Sequence, residues 1–446
     1  MIHRHHVAKY LKIKIDMGIK SKIIALILSF HIGIVLAASE IRIITNSPLD
    51  YSGPSSDCSA DICKELLNLI NNSKRSIDFA VYGLRGQDEI LNALINAKNR
   101  GVYIRGIIDK DTSGNSYYSD THLIEKNFDN IKSDYYQDIR VAKMLSKKRK
   151  KWKDKCVRPK GHKGPLQCFE GKGYASKKDI YFKGDIMHNK FFIVDNQYIW
   201  TGSANLSDTG IGGYNANVVA VVNSEYIADK YLIEFEQMFD DGKYHRAKKK
   251  LKKTKLETYI DGQKINVYFS PQGYAVYRGV IPLIKKAENS IDISIFFLTH
   301  KNISKELVKA KNRGVSVRVI LDATAATNGY SKHNYLRENG IPVKVENWGG
   351  KMHMKSAIVD KKHLIVGSMN WTSAGESKND ENTLIIMNSN DASKYQSFYN
   401  LIWNSIPDKW LNNDPLPESL DSKGSCYDGI DNDFDKKVDS KDNGCR

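Results

Sequence analysis

The pattern of apolar and polar positions along this chain occurs twice. Ser76-Ile77-Asp78-Phe79-Ala80-Val81-Tyr82 is a short apolar run, and Ser290-Ile291-Asp292-Ile293-Ser294-Ile295-Phe296 is its near copy. After the first run Ile90, Leu91, Leu94 and Ile95 fall at three- and four-residue spacing, which predicts an amphipathic helix. Ala97-Lys98-Asn99-Arg100-Gly101-Val102 closes that helix at a glycine and returns as Ala310-Lys311-Asn312-Arg313-Gly314-Val315. Each copy then enters a second apolar run, ending Ile107-Ile108-Asp109 or Ile320-Leu321-Asp322. Strand, helix, strand with both strands apolar predicts a βαβ unit in a helix-covered sheet, hence the α/β class. The copies lie over two hundred residues apart, so this is a domain duplication and not a solenoid.

One apolar stretch stands outside the duplication. Residues 23–38 (IIALILSFHIGIVLAA) follow Lys20 and Lys22, are short of the roughly 20 residues of a spanning helix, and end among small residues. They predict a secretory signal over 1–37, with Met17 as an alternative start. The rest of the 446 residues divides into a first domain at 38–256, a second at 257–412 and a tail at 413–446. The six cysteines fall as close pairs, Cys58/Cys63, Cys156/Cys168 and Cys426/Cys445, a pattern of local disulfides in an exported protein.

Charge changes this picture only locally. The formal net charge is +17, and residues 1–37 hold six basic side chains and one acid, so +12 remains without them. The first copy carries about 48 more residues than the second between its Arg-Gly turn and the motif described next. Within that insertion, at about 111–183, residues 143–178 contain fourteen Lys or Arg and two acids, a local +12. Trp152, Tyr174 and Tyr181 are interleaved with those charges, as in a stacking surface for nucleic acid or an anchor at a membrane interface. A solvated loop without a partner is the alternative to such a contact surface.

Both copies end in one signature. His188-Asn189-Lys190 leads to Asp195 and then to Gly202-Ser203-Ala204-Asn205; His353-Met354-Lys355 leads to Asp360 and then to Gly367-Ser368-Met369-Asn370. On a strand, residues two apart share a face, so each His and Lys point together and Ser203 with Asn205, or Ser368 with Asn370, can add a hydroxyl and an amide. Asp195 and Asp360, an odd seven residues on, face away and are expected to anchor structure. Two such faces brought together hold two imidazoles, two ammonium groups and two amides. That set suits a phosphodiester: cations and amides hold the nonbridging oxygens, one imidazole attacks phosphorus and the other protonates the leaving oxygen.

With these residues the chain resembles the phospholipase D superfamily, over roughly residues 41–405. The resemblance implies two similar α/β sandwich domains meeting at an interfacial active site, a covalent phosphohistidine and no catalytic metal. It also implies a carboxylate that orients a catalytic imidazole. Glu381 stands 28 residues after His353, whereas the same step from His188 lands on Ala216. Family precedent makes His188 the nucleophile and His353 the general acid, yet only His353 then has an obvious carboxylate, with Asp208 a candidate for His188.

The tail between Cys426 and Cys445 is acidic. A calcium loop numbered from Asp431 places Asp433, Asp435, Asp439 and Asp442 at positions 3, 5, 9 and 12. Lys436 stands where an EF-hand has glycine, and Asp442 where it has glutamate; the segment instead resembles the short Asp-rich repeats of exported bacterial proteins, implying structural calcium. The sequence therefore predicts an exported phosphodiesterase of phospholipase D type acting on a phospholipid headgroup. A metal-independent nuclease for DNA or RNA and a noncatalytic binder of anionic surfaces stay open beside it, and no obligate protein partner is implied.

Overall fold

Two sheets of one topology carry the duplicated sequence in a computed structural model of the chain, which describes residues 40–49, 53–153, 156–157, 167–170, 173–176, 184–250 and 257–446. The signal predicted over 1–37 lies outside the described residues, as do residues 154–155, 158–166, 171–172 and 177–183 of the basic insertion and all of its side chains beyond 144. No helix among those described is long and apolar enough to cross a membrane.

The first sheet contains β1 (Glu40–Asn46), β2 (Ser76–Val81), β3 (Tyr103–Ile108), β4 (Ile131–Ser133), β5 (Lys190–Val194), β6 (Tyr198–Gly202) and β7 (Asn217–Asn223), in the order β1-β7-β6-β5-β2-β3-β4. The second contains β8 (Glu257–Ile260), β9 (Gln263–Ser270), β10 (Ser290–Ile295), β11 (Ser316–Leu321), β12 (Val343–Val345), β13 (Lys355–Val359), β14 (His363–Gly367) and β15 (Glu381–Met387). Its order, β8-β9-β15-β14-β13-β10-β11-β12, repeats the first with one added edge strand. In each half the βαβ unit makes the parallel pair, β2 with β3 and β10 with β11, through helices α1 (Asp88–Asn99) and α2 (Lys301–Asn312). The motif strands β5 and β13 run antiparallel to β2 and β10.

Side-chain alternation on the motif strands sorts the core into layers. Phe192 and Val194 pack outward with α1, while Phe191 and Ile193 pack inward with Ile358, Leu364 and Leu384 of the other half. Helices α3 (Glu225–Phe239) and α4 (Ala392–Ser405) contribute Tyr231, Phe235, Tyr395 and Tyr399 to the same inner cluster. One hydrophobic core thus spans both halves; at roughly 1.5–3 kcal/mol per fully buried large apolar side chain, it holds the two motif strands in fixed register. Disulfides join Cys58 to Cys63 and Cys426 to Cys445. Cys156 lies opposite Cys168 in strand register.

Candidate active site

The residues just before β5 and β13 cross between halves. Met187 forms a parallel bridge to Asp380, at the head of β15, and Ala216, at the head of β7, bridges to Met352. The His188 N–H donates to the Asp380 carbonyl at 3.0 Å, and the His353 N–H to the Ala216 carbonyl at 3.0 Å. Each histidine is therefore held against the other half's last strand.

This crossing reassigns the carboxylate. Glu381 lies against His188, with Nδ1 2.9 Å from both Oε1 and Oε2, and does not face His353. Asp208 is not the partner of His188, because it forms an ion pair with Arg85. Behind His353 stands Asn217, whose Oδ1 is 3.1 Å from Nδ1. Its Nδ2 donates to the carbonyls of Gly210 and Asn215, so the amide oxygen faces the imidazole and fixes its proton on Nδ1. The sequence reading missed Asn217 by one residue, because the β6–β7 connection is one residue longer than its counterpart; counting back from Gly202 and Gly367 through the paired strands finds it.

Ser203 and Ser368 face these positioning groups and not a substrate. The Ser203 hydroxyl donates to Asn217 Oδ1 at 2.8 Å, the Ser368 hydroxyl donates to Glu381 Oε2 at 2.7 Å, and both serines are fully buried. Each lysine is tied back to its own motif: Lys190 Nζ donates to the His188 carbonyl at 2.8 Å and Lys355 Nζ to the His353 carbonyl at 2.6 Å. Tyr82 and Phe296, at matching strand ends, pack on His188 and His353 at 5.4 and 5.1 Å between ring centroids. Lys190 lies 5.6 Å from the Tyr82 ring centre and Lys355 4.9 Å from that of Phe296. Asn205 Nδ2 donates to the Tyr118 hydroxyl, and the buried Oδ1 atoms of Asn205 and Asn370 have no hydrogen-bond partner among the described residues.

Asp195 and Asp360 lie at the far ends of the motif strands. Asp195 accepts from the backbone N–H groups of Lys74, Arg75 and Ser76, and Asp360 from those of Glu288, Asn289 and Ser290. They clamp the turn that precedes β2 or β10 and touch no reacting group.

Burial sets the electrostatics. It holds both imidazoles well below their ordinary pKa, and the neighbouring Lys190 and Lys355 charges push them lower still. Burial lowers Lys190 to about 7 and drives Lys355 well down, with the Lys190 charge adding to the latter. Glu381 is pushed up to about 8 by burial, against the opposing pull of Lys190 and the Ser368 hydroxyl. The site is thus short of negative charge, and an anion placed between the two lysines would favour their charged forms. When Glu381 is ionised it accepts the Nδ1 proton of His188, leaving the Nε2 lone pair free for attack.

In the tail, Asp433, Asp435 and Asp442 converge, and Asp431 and Asp433 converge with Glu418, which the sequence reading missed. Asp439 turns elsewhere and accepts from the Asp428 and Gly429 N–H groups.

Comparisons with known proteins agree with this geometry. A family model described as "Cardiolipin synthase, PLD-like domain" matches residues 66–239 and 280–403. A phospholipase D of Rickettsia conorii is 33% identical over 136 residues, 30% of this chain and 68% of that protein. A human mitochondrial cardiolipin hydrolase is 31% identical over 157 residues, 35% of this chain and 61% of that protein. Phosphatidylserine synthase of Haemophilus influenzae shares the fold, with a TM-score of 0.53 at 12% identity over 84% of this chain and 89% of that one.

Proposed function

Because the chain belongs to the phospholipase D-like family, we propose that it is a phosphodiester hydrolase that cleaves a phospholipid headgroup through a phosphohistidine on His188. The observation that carries this reading is the convergence of His188, Lys190, His353 and Lys355 in one buried site, with Glu381 behind the first imidazole and Asn217 behind the second.

The charge of the bound phosphodiester favours the doubly protonated form of His353; His188 Nε2 attacks phosphorus, the bond to the leaving oxygen breaks, and that oxygen takes the Nε2 proton of the His353 imidazolium, which keeps its Nδ1 proton on Asn217. Water then attacks phosphorus, giving its proton to His353, and the P–N bond breaks with its electron pair returning to His188. Lys190 and Lys355 hold the nonbridging oxygens, with Asn205 and Asn370 beside them. The asymmetry of the partners supports the roles. A carboxylate stabilises the cationic imidazole of the intermediate, whereas an amide does so less, leaving His353 the readier proton donor.

The lipid reading draws on the likeness to a rickettsial phospholipase D and a human cardiolipin hydrolase, and on export, for which the segment 23–38 and the disulfides speak. The basic stretch 143–178 favours nucleic acid as a second reading. With no divalent cation added, the expected result is phosphatidic acid released from phosphatidylglycerol or cardiolipin vesicles, and plasmid DNA left intact. Nicked DNA without lipid product would replace the lipid by a nucleic acid. Tight retention on anionic vesicles without any product would make the chain a binder.

For the tail we propose one structural calcium ion, held by Asp433, Asp435 and Asp442 with Asp431 and Glu418 beside them. Millimolar calcium should raise the unfolding midpoint by about 2–4 °C, and Asp433→Asn with Asp435→Asn should remove that rise. An equal rise in the double variant would refute the site.

A further inference from the structure

Behind His188 lies a second cluster that the phosphodiester chemistry does not use. Asp134 and Asp138 stand at the start of a helix, Tyr135–Lys153, with the four-residue spacing that places both on one face. His245 comes from the segment after α3, and its Nε2 is 3.2 Å from Asp134 Oδ2 and 3.5 Å from Asp138 Oδ1. All three residues are buried, with exposures of 0%, 0% and 3%. Neither contact has hydrogen-bond geometry, and Asp134 Oδ2, both Asp138 oxygens and His245 Nε2 are buried without a hydrogen-bond partner among the described residues.

The second half shows how the fold treats the same place without such a cluster. Strand register makes Asp109 and Asp134 the counterparts of Asp322 and Glu346. There Glu346 accepts the Ala323 and Trp348 N–H groups, Asp322 accepts those of Ala325 and Met352, and the Lys351 charge stands close by. In the first half Asp138 adds a third carboxylate, and none of Asp109, Asp134 and Asp138 has a Lys or Arg ion-pair partner among the described residues. The buried Lys248 ammonium is taken by Glu234 and by Asp380, and the Lys190 ammonium, which feels the Asp109 charge, is tied to the His188 carbonyl. Against burial, Asp380 and Asp134 hold the His245 imidazole well above its ordinary pKa, so one positive charge faces three buried carboxylates; a divalent cation in its place brings two.

The spacing fits such an ion. Ligands about 2.0–2.1 Å from a tetrahedral zinc stand roughly 3.3–3.4 Å from one another, and the two contacts of His245 bracket that value. The other ring nitrogen, Nδ1, lies 3.0 Å from Asp380 Oδ2, likewise outside hydrogen-bond geometry, so Asp380 stands on the far side of the ring, where ligating histidines commonly keep a carboxylate. The geometry points to a buried divalent-cation site of zinc type, ligated by His245, Asp134 and Asp138, which locks the first half to the strand end that carries Glu381. Its location gives it a consequence for the active site. The Asp380 carbonyl accepts the His188 N–H, and Asp109 Oδ1, next to Asp134 in strand register, accepts the Met187 N–H at 2.8 Å, so the bound ion stands behind the backbone that leads into His188.

The test is metal content, which does not depend on the chain being an enzyme. The full-length protein is dialysed against zinc, desalted and analysed by inductively coupled plasma mass spectrometry, with the unfolding midpoint measured with and without zinc. About one zinc per chain and a midpoint raised by roughly 5 °C are expected, with Asp138→Asn and His245→Gln each holding less than about a tenth of an equivalent. The tail variant Asp433→Asn with Asp435→Asn keeps its zinc, because the tail offers only oxygen ligands. Wild type that holds no zinc and shows no shift overturns the site, as does zinc retained in full by folded Asp138→Asn. If His245→Gln fails to fold, the wild-type titration and the near-isosteric Asp138→Asn still decide.

Discussion

His188→Ala loses turnover on every phosphodiester by at least about 10⁴-fold, whereas His353→Ala keeps the first chemical step on an ester whose leaving group is stable as an anion. The difference follows from the roles. Without His188 no atom in the site attacks phosphorus. Without His353 a natural headgroup oxygen departs unprotonated, at a cost of about 10²–10⁴-fold, but p-nitrophenolate needs no proton to leave. Water attack on the phosphohistidine still lacks its base, so the covalent intermediate accumulates. Rapid-quench measurement with a p-nitrophenyl phosphodiester should therefore show a burst near one equivalent from His353→Ala and none from His188→Ala. A burst from His188→Ala and none from His353→Ala would exchange the two roles.

Glu381 is expected to leave its mark on the pH profile. With its folded pKa raised to about 8, it is largely protonated below that pH and ionised above it. Protonated, it donates to Nδ1 of His188 and leaves the proton of the imidazole on Nε2, the tautomer that cannot attack. Ionised, it accepts from Nδ1 and frees Nε2. In the bound state the phosphate charge and the lysine charges act on Glu381 in opposite directions, so kcat should climb with pH through a limb near 8. Glu381→Gln keeps an acceptor oxygen that does not titrate; kcat should fall about 10²–10³-fold and the limb should vanish. Asn217→Ala, behind the proton donor, should lower kcat while keeping the limb. A limb that survives unchanged in Glu381→Gln would remove Glu381 from its positioning role.

The α/β fold and its duplication were legible because they are written in local periodicities: alternating apolar runs, helical spacing and a glycine stop, each occurring twice. The His-x-Lys pairs were legible for the same reason, since a two-residue step on a strand puts both side chains on one face. The partner of each histidine was not. Glu381 lies 28 residues from His353 and 193 from His188, so linear spacing favours the wrong imidazole, and only the crossing bridges of Met187 and Ala216 reveal the right one. Ser203 and Ser368 share the motif's face by alternation, yet strand pairing turns their hydroxyls to Asn217 and Glu381. The cluster of Asp134, Asp138 and His245 left no sequence signal, because its members lie 111 residues apart on unrelated elements and meet only through packing.

In the proposed mechanism both halves build one site in which His188 becomes covalently phosphorylated. Peptide mass mapping of the intermediate trapped in His353→Ala, after reaction with a p-nitrophenyl phosphodiester, tests it most directly. A phosphoryl-ester adduct is expected on the peptide containing His188, formed far more slowly when Glu381 is also replaced by alanine. An adduct on any other residue, or full turnover with no adduct, would contradict it.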